Sequence, residues 1–190
     1  MFDITWMLLC QSIWQTIYMV FIAGFLSVVG GTLIGLALYF SAPSHRFWPK
    51  LIASILGMVV NIGRSIPYII LMIAIIPLTR WMVGTTIGTN AAVVSLTLAA
   101  LPFYGRVAQA AFQEIPEGLL DATRAMGANA GQLIVKVLIP ESLPALIRGG
   151  TLTVIALIGY SAMAGAVGGG GLGQLAINYG YQQFNVGAVS

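Results

Sequence analysis

The chain has 190 residues, of which 58% are hydrophobic and 7% are charged, and its formal net charge is +3. A soluble domain carries about a quarter charged residues, so this composition excludes a water-soluble protein and indicates an integral membrane protein. One cysteine and one histidine exclude a disulfide framework and a Cys/His metal cluster.

The N-terminal segment predicts the first membrane span. After Asp3 no charged side chain occurs until the polar loop that begins at Ser41. A spanning helix needs roughly 20 apolar residues, so we place the first span at residues 13–40. Because no lysine or arginine precedes the apolar run, we interpret it as a retained span with the N-terminus outside, not as a cleaved signal peptide.

The next apolar stretch contains one charged side chain, Arg64. A straight helix through it would place Arg64 near the bilayer centre, at a cost of a few kcal/mol. We therefore prefer residues 51–63 along the cytoplasmic interface and a second span at 65–83. In this interpretation Ser65 is the N-cap and Pro67 lies in the first turn. The alternative, in which 51–63 belong to the second span, stays open.

The rest of the chain predicts a third span at 90–112 and a fourth at 146–167, separated by a polar segment at 114–143. With the N-terminus outside, seven of the eight basic residues fall on the inner side, as the positive-inside bias requires. The segment at 114–143 is therefore expected in the cytoplasm, within a single all-α membrane domain that covers residues 1–190. The inner basic residues are Arg46, Lys50, Arg64, Arg106, Arg124, Lys136 and Arg148, and Arg80 is the outer one.

The polar segment predicts two short helices joined by a turn. Pro116 lies at the start of the first helix and Gly127 just past its end, where a left-handed conformation favours glycine. Asn129 can cap a second helix at 130–139, which we expect Pro140 to stop. Such a pair either rests on lipid or docks a cytoplasmic partner. The small residues Ala122, Ala125 and Gly127 favour docking.

Two absences narrow the chemistry of the chain. No aspartate or glutamate occurs between Asp3 and Glu114, which argues against a proton-driven carrier, while sodium coupling through backbone carbonyls stays open. The glycine run at 168–173 follows a span, so it favours a flexible exit turn over a nucleotide site. The sequence also lacks the glycine-rich lysine motif that holds ATP phosphates.

The polar segment resembles the loop of ABC importer permeases that reads E-A-A, three residues, G, nine residues, I, one residue, L-P. Here Asp121-Ala122-Thr123 is followed by Gly127, then by Val137, and Ile139-Pro140 ends the pattern. "NIGRSIPYIILMIAIIPLTR", "VGTTIG", "EIPEGLLDATRAMGA" and "GYSAMAGAVGGGGLGQ" are similar to methionine ABC importer permeases. The likeness covers essentially the whole chain.

The resemblance implies an all-α bundle of the small ABC importer permease type in the bacterial inner membrane, with a cytoplasmic two-helix coupling loop. It implies a second copy of the chain, two cytoplasmic ABC ATPase subunits and an extracytoplasmic methionine-binding protein as partners, besides membrane lipid. ATP and magnesium would lie on the ATPase, with no cofactor, metal, nucleic acid or catalytic residue on this chain. The family has a fifth span, which is expected to be missing or cut short after residue 184.

The resemblance also assigns residues to two roles. The residues expected to couple to the ATPase are Asp121, Ala122, Thr123, Arg124, Ala125, Gly127, Val137 and Pro140. Those expected along the translocation pathway are Tyr160, Ser161 and Met163, with Met163 near an apolar gate. Three alternatives stay open: an ABC permease for another small solute, a sodium-coupled carrier or channel without ATPase, and a non-transporting scaffold.

Overall fold

The computed structural model describes residues 2–41 and 50–182, and within these ranges every regular element is helical. The predicted all-α fold is confirmed. The helices are α1 (Phe2–Tyr39), α2 (Lys50–Ser65), α3 (Tyr68–Ala74), α4 (Ile76–Val83), α5 (Thr89–Gln113), α6 (Glu117–Ala125), α7 (Ala130–Leu133), α8 (Ile139–Ala166) and α9 (Gly171–Leu175), with π-helical turns at Ile134–Leu138 and Ala176–Gln182.

Three helical stretches in the described ranges are long and apolar enough to cross a membrane. They are Trp6–Tyr39, Thr89–Gln113 and Ala130–Ala166. A fourth candidate is the broken pair Leu51–Ser65 and Tyr68–Ala74, which is bent by 110° at the break. The expectation that the family's fifth span is missing or cut short after residue 184 concerns residues outside the described ranges.

The break after α2 corrects the predicted cap of the second span. Ser65 is the last residue of α2, and Pro67 occupies the N-cap of α3 without a side-chain cap hydrogen bond. A proline disfavours helical geometry in the residue before it, here Ile66, so the helix ends before Pro67 and restarts after it. Helices α2 and α3 are therefore not one straight helix, and the placement of residues 51–63 along the interface stays a prediction.

The predicted second span is itself divided. Helices α3 and α4 are separated at Ile75, and α4 carries a proline in its first turn and ends at Gly84, which has a φ of +80°. Each piece is a short helix of 7 or 8 residues. The stretch predicted as one element at 65–83 therefore consists of the end of α2 followed by two separate helices.

The chain forms two compact units, each with a buried cluster of its own. The first unit contains residues up to Leu26, Ser65–Ala100 and residues from Val154 onward, and the second contains Ser27–Arg64 and Leu101–Thr153. The cluster of the first unit is Met19, Val20, Ala23, Tyr68, Ala92, Val93, Leu96, Ala100, Leu157 and Ala164. The cluster of the second unit is Tyr39, Tyr104, Ala108, Ala111, Phe112, Ile115, Leu120, Leu133, Leu138 and Leu146.

In the second unit α1 and α5 pack closely through small residues. A Cβ atom added to Gly31 would lie 2.8 Å from Cδ1 of Tyr104, and one added to Gly35 would lie 2.5 Å from Cβ of Ala108. Small residues that recur every fourth position let helix backbones approach in lipid, where no hydrophobic force drives helices together. This contact fixes the end of α5 that leads into the polar segment.

Candidate functional site

The first helix of the polar segment has the predicted limits. Pro116 is the N-cap of α6, and Gly127 follows the helix with a φ of +83°. The helix starts at Pro116 because proline has a fixed φ and no N–H to lose, and it stops at Gly127 because a left-handed residue cannot continue it. The predicted left-handed conformation of Gly127 is confirmed.

The turn at Gly127 is closed by two backbone hydrogen bonds. The N–H of Ala128 donates to the carbonyl of Thr123 at 3.3 Å, and the N–H of Gly127 donates to the carbonyl of Arg124 at 2.9 Å. This pair is the Schellman arrangement, which satisfies the last carbonyls of a helix from within the backbone. A Cβ atom at Gly127 would meet no atom within 4 Å. The turn is therefore rigid and open on its outer side.

The second helix begins as predicted but does not stop where predicted. Asn129 caps α7 in a reciprocal capping box with Gln132, at 2.8 and 3.0 Å. Helical geometry then continues to Ala166, so the expected stop at Pro140 is wrong. The π-helical turn before Pro140 widens the backbone where a proline ring would clash. The hydroxyl of Ser142 donates to the carbonyl of Leu138 at 2.6 Å, one turn earlier.

Helix α6 has one buried and one exposed side. Leu120 is 1% exposed and Thr123 is 7% exposed, and the Thr123 hydroxyl donates to the carbonyl of Leu119 at 2.7 Å. Thr123, which the resemblance groups with the coupling residues, therefore faces the interior of the chain. Among the exposed residues of α6 and its C-cap, those on the side opposite Leu120 and Thr123 are Gly118, Asp121, Ala122, Ala125 and Met126. We call this set the α6 ridge.

Helix α6 carries one pair of oppositely charged side chains on its surface. Nη1 of Arg124 donates to Oδ1 of Asp121 at 3.1 Å, one helical turn apart. The side chains are 45% and 73% exposed for Arg124 and Asp121, so solvent screens this pair and it contributes little to folding. Both groups are accessible to a partner.

The polar segment at 114–143 shares the buried cluster of the second unit with the long helices. Leu120 of α6 and Leu138 of the π-helical turn lie in the same cluster as Phe112 of α5, and the last two are 0% exposed. The hydroxyl of Tyr104 donates to the carbonyl of Leu146 at 3.0 Å, which joins α5 to α8. This buried cluster therefore joins α6 to the ends of α5 and α8 in the second unit. Val137 is partly buried against this cluster, and Pro140 is exposed.

The residues predicted on the translocation pathway have three different environments in the first unit. Tyr160 stacks on Tyr68, with ring centroids 4.9 Å apart and planes at 12°. The hydroxyl of Ser161 is buried and donates to the carbonyl of Ile158 at 2.7 Å, and Met163 is 48% exposed. Tyr160 and Met163 are one turn apart on α8, and Ser161 is directed into its own helix.

The stacked tyrosine pair includes a residue that the sequence did not single out. The hydroxyl of Tyr68 lies 2.9 Å from Oγ of Ser95, and Ser95 also donates to the carbonyl of Ala92. Tyr68 is therefore held at both its ring and its hydroxyl. Because Tyr68 and Ser95 are 27 positions apart in the chain, no local sequence pattern indicates this bond.

The glycine run after α8 is held in place, in contrast to the flexible exit turn predicted for it. The N–H of Gly171 donates to Oε1 of Gln15 at 2.8 Å, and the N–H of Leu172 donates to Oγ1 of Thr16 at 2.9 Å. Gly168, Gly170 and Gly171 have φ values between +76° and +85°. The run forms an ordered turn on α1 of the first unit.

These features define the class of the protein. The family described as "Binding-protein-dependent transport system inner membrane component" matches residues 31–187, and the chain belongs to this family. It is accordingly a multi-pass inner-membrane permease subunit of an ABC transporter.

Individual relatives show which members of this family the chain resembles. The probable D-methionine transport system permease protein MetI of Pasteurella multocida is 50% identical over 175 residues, which cover 92% of this chain and 81% of that protein. The D-methionine transport system permease protein MetI of Escherichia coli K12 is 48% identical over 158 residues, covering 83% and 73%. A solved structure of the MetNI methionine ABC transporter in an inward-facing conformation superposes with a TM-score of 0.91 at 47% identity, covering 95% of this chain and 84% of the other.

Proposed function

We propose that this chain is the membrane-spanning pore subunit of an ATP-driven methionine importer. It pairs with a second copy of itself, binds two cytoplasmic ATPase subunits through the coupling segment, and receives substrate from an extracytoplasmic methionine-binding protein. The observation that carries the proposal is the α6 ridge, which is exposed on one side and anchored in the core of the second unit on the other. The methionine permeases among the relatives support the choice of substrate.

The ridge supplies what a docking surface for an ATPase needs. Ala122 and Ala125 have short side chains that let the helix enter a groove closely, and the Gly127 turn ends the helix without projecting a side chain. Asp121 and Arg124 offer a carboxylate and a guanidinium for polar contacts at the edge. ATP and magnesium bind to the ATPase subunit, and this chain transmits the movement of that subunit to the membrane helices.

Movement of the ridge passes to the pathway as a rigid-body change between two states. Helical geometry is continuous for 37 residues from Ala130 to Ala166. Tyr160 and Met163 lie near the far end of this stretch and line the gate in our proposal. With the N-terminus outside, the coupling segment is in the cytoplasm and the glycine turn is on the outer side.

The proposal is tested with the chain purified together with its ATPase and reconstituted in proteoliposomes. We expect uptake of labelled methionine that needs ATP, the binding protein and the ATPase. Uptake that follows a sodium gradient without ATPase would contradict the ATP-driven mechanism. Uptake of another solute in preference to methionine would contradict the substrate.

The coupling role is tested by Gly127→Arg with Gly127→Asn as its control. Because nothing lies within 4 Å of a Cβ at this position, the arginine projects away from the chain and into a docked partner. Asparagine tolerates the left-handed conformation. We expect ATP-driven uptake to fall at least about tenfold in Gly127→Arg, equal to about 1.4 kcal/mol of lost coupling, with normal membrane insertion. Gly127→Asn keeps most uptake, and normal uptake in the arginine variant would discard the docking role.

A further inference from the structure

Helix α2 presents three different surfaces. The residues turned toward its own unit include Leu56, Gly57 and Val60, of which Val60 is 4% exposed. An adjoining edge carries Asn61 and Arg64. The remaining face is apolar and between 47% and 71% exposed, and it consists of Leu51, Ile52, Ile55, Met58, Val59 and Ile62. We call these six residues the α2 apolar face.

An apolar face of this size is expected to contact lipid or another protein surface. Monomeric soluble proteins rarely expose a contiguous patch of large aliphatic side chains, and such patches mark membrane or protein contacts. A helix with one apolar face and one basic polar edge has the pattern that lies at a membrane interface. The face therefore requires either acyl chains or another apolar surface.

Two arginines lie at the polar edge of α2. Arg106 of α5 extends to this helix, where its Nη2 donates to the carbonyl of Gly57 at 3.2 Å and to Oδ1 of Asn61 at 2.9 Å. Its Nη1 donates to Oε1 of Gln109 at 2.7 Å. Arg64 lies one turn beyond Asn61 on the same helix and is exposed. Two positively charged side chains are thus placed along one edge of α2.

These charges have no counter-ion within the described ranges. The sequence contains no aspartate or glutamate between Asp3 and Glu114. The described residues contain one salt bridge, and it joins Arg124 to Asp121. In the same ranges the buried Nε of Arg106 has no hydrogen-bond partner. Two guanidinium charges without a carboxylate partner attract an anion, so this edge favours a negatively charged ligand.

We propose that Arg64 and Arg106 bind the phosphate of an anionic phospholipid whose acyl chains lie along the α2 apolar face. Guanidinium groups form strong charge-assisted hydrogen bonds to phosphate oxygens. The cytoplasmic leaflet is rich in anionic lipid, which attracts basic residues next to the membrane. A second copy of the chain meeting this face in an isologous contact would bring the same basic edge with it and add like charges, which disfavours that occupant.

The lipid site is tested with the full chain, purified in detergent and stripped of lipid. Binding of dioleoyl-phosphatidylglycerol is measured by native mass spectrometry against dioleoyl-phosphatidylcholine, and sn-glycerol 1-phosphate serves as the soluble phosphate. We expect the anionic lipid to bind and the zwitterionic lipid and the soluble phosphate not to bind at the same concentration. Arg64→Gln with Arg106→Gln together should weaken phosphatidylglycerol binding about thirtyfold, at about 1 kcal/mol for each basic residue near the surface.

Three further variants distinguish a loss of charge at the lipid site from a general effect on folding. Arg64→Gln alone changes an exposed side chain and should still weaken binding. Arg64→Lys with Arg106→Lys keeps the charge and should retain most of the binding. Arg80→Gln removes a cation from α4 and should leave binding unchanged.

Several outcomes would overturn the lipid site. Equal binding of the two lipids, or undiminished phosphatidylglycerol binding by the glutamine variants, would show that no phosphate site exists. Equal binding of soluble phosphate would show that the apolar face plays no part. If Met58→Cys cross-links two copies while phosphatidylglycerol does not bind, the face belongs to a second copy.

Discussion

Two glycine turns, one in each unit, adopt the left-handed conformation in opposite surroundings. Gly127 has a φ of +83° and no atom within 4 Å of its Cβ position. Gly171 has a φ of +76°, and its Cβ position lies 2.6 Å from Oγ1 of Thr16 and 2.8 Å from Cε of Met19. The backbone requires glycine at both places, but only Gly171 is also enclosed by its own chain. A positive φ alone therefore does not distinguish a turn that packs from a turn that is left open for a partner.

The difference extends to how each turn is fixed. The turn at Gly171 depends on side chains of α1, since Gln15 and Thr16 accept its N–H bonds. The turn at Gly127 uses its own backbone bonds, and its rigidity comes from the Schellman closure and from Leu120 below it. A turn that is rigid without side-chain contacts on its outer side leaves that side available, which suits a surface that must bind another protein.

The largest expected effect is the loss of stability on substitution of Gly171, where steric crowding adds to backbone strain. In Gly171→Ala the left-handed conformation of the alanine costs about 1–2 kcal/mol of stability. Its Cβ atom enters a space that is already filled, which costs about 1–3 kcal/mol more. We expect a loss of about 3 kcal/mol in the free energy of unfolding, measured in mixed detergent and dodecyl sulfate micelles.

The matched control for Gly171 is Gly84→Ala. Gly84 has a φ of +80° but no atom within 4 Å of its Cβ position, so this variant carries the backbone cost alone. It should lose about 1 kcal/mol. If the two variants were equally stable, the enclosure of Gly171 would have no energetic weight and the comparison with Gly127 would fail.

Much of the coupling segment could be predicted because its signals are local. Pro116, Gly127 and Asn129 act on the backbone within three residues of themselves, and each has the predicted role in the structure. Pro140 is also a local signal, and it misled because a π-helical turn relieves the clash and the hydroxyl of Ser142 bonds to the carbonyl of Leu138. A local stop signal is overridden when the flanking helix is held by a core.

Other features could not be predicted because they depend on distant partners. A threonine can lie on the buried or on the exposed side of a helix. Thr123 is buried because the cluster around Leu120 covers that side of α6. The glycine run looked flexible because its partners, Gln15 and Thr16, are 156 positions away in the chain. The α6 ridge did have a signal in the four-residue spacing of Gly118, Ala122 and Met126.

A smaller effect tests whether side-chain hydrogen bonds matter in the first unit beyond the glycine turn. We expect a double-mutant cycle of Tyr68→Phe and Ser95→Ala to give a coupling free energy of about 1 kcal/mol, because buried interhelical bonds in membranes are modest. The same cycle between Tyr68→Phe and Thr79→Val should give about zero, since the Thr79 hydroxyl donates to the carbonyl of Ile75 in its own turn. Equal coupling in both cycles would mean that the Tyr68–Ser95 bond has no role of its own.

The smallest expected effect concerns the ion pair beside the Gly127 turn. If the backbone closure and the core hold α6, the exposed pair Asp121–Arg124 adds little to stability. A double-mutant cycle of Asp121→Asn and Arg124→Gln should then give about 0.3 kcal/mol for a surface pair one helical turn apart.

The same variants give a second measurement that a purely structural pair would not change. Because both side chains are accessible to a partner, we expect Arg124→Gln to lower ATP-driven uptake by more than its loss of stability explains. A coupling free energy well above 1 kcal/mol, with uptake unchanged, would mean that the pair holds the helix in place. The Gly127 turn would then depend on side chains as the Gly171 turn does, and the two turns would no longer differ in the way that their surroundings indicate.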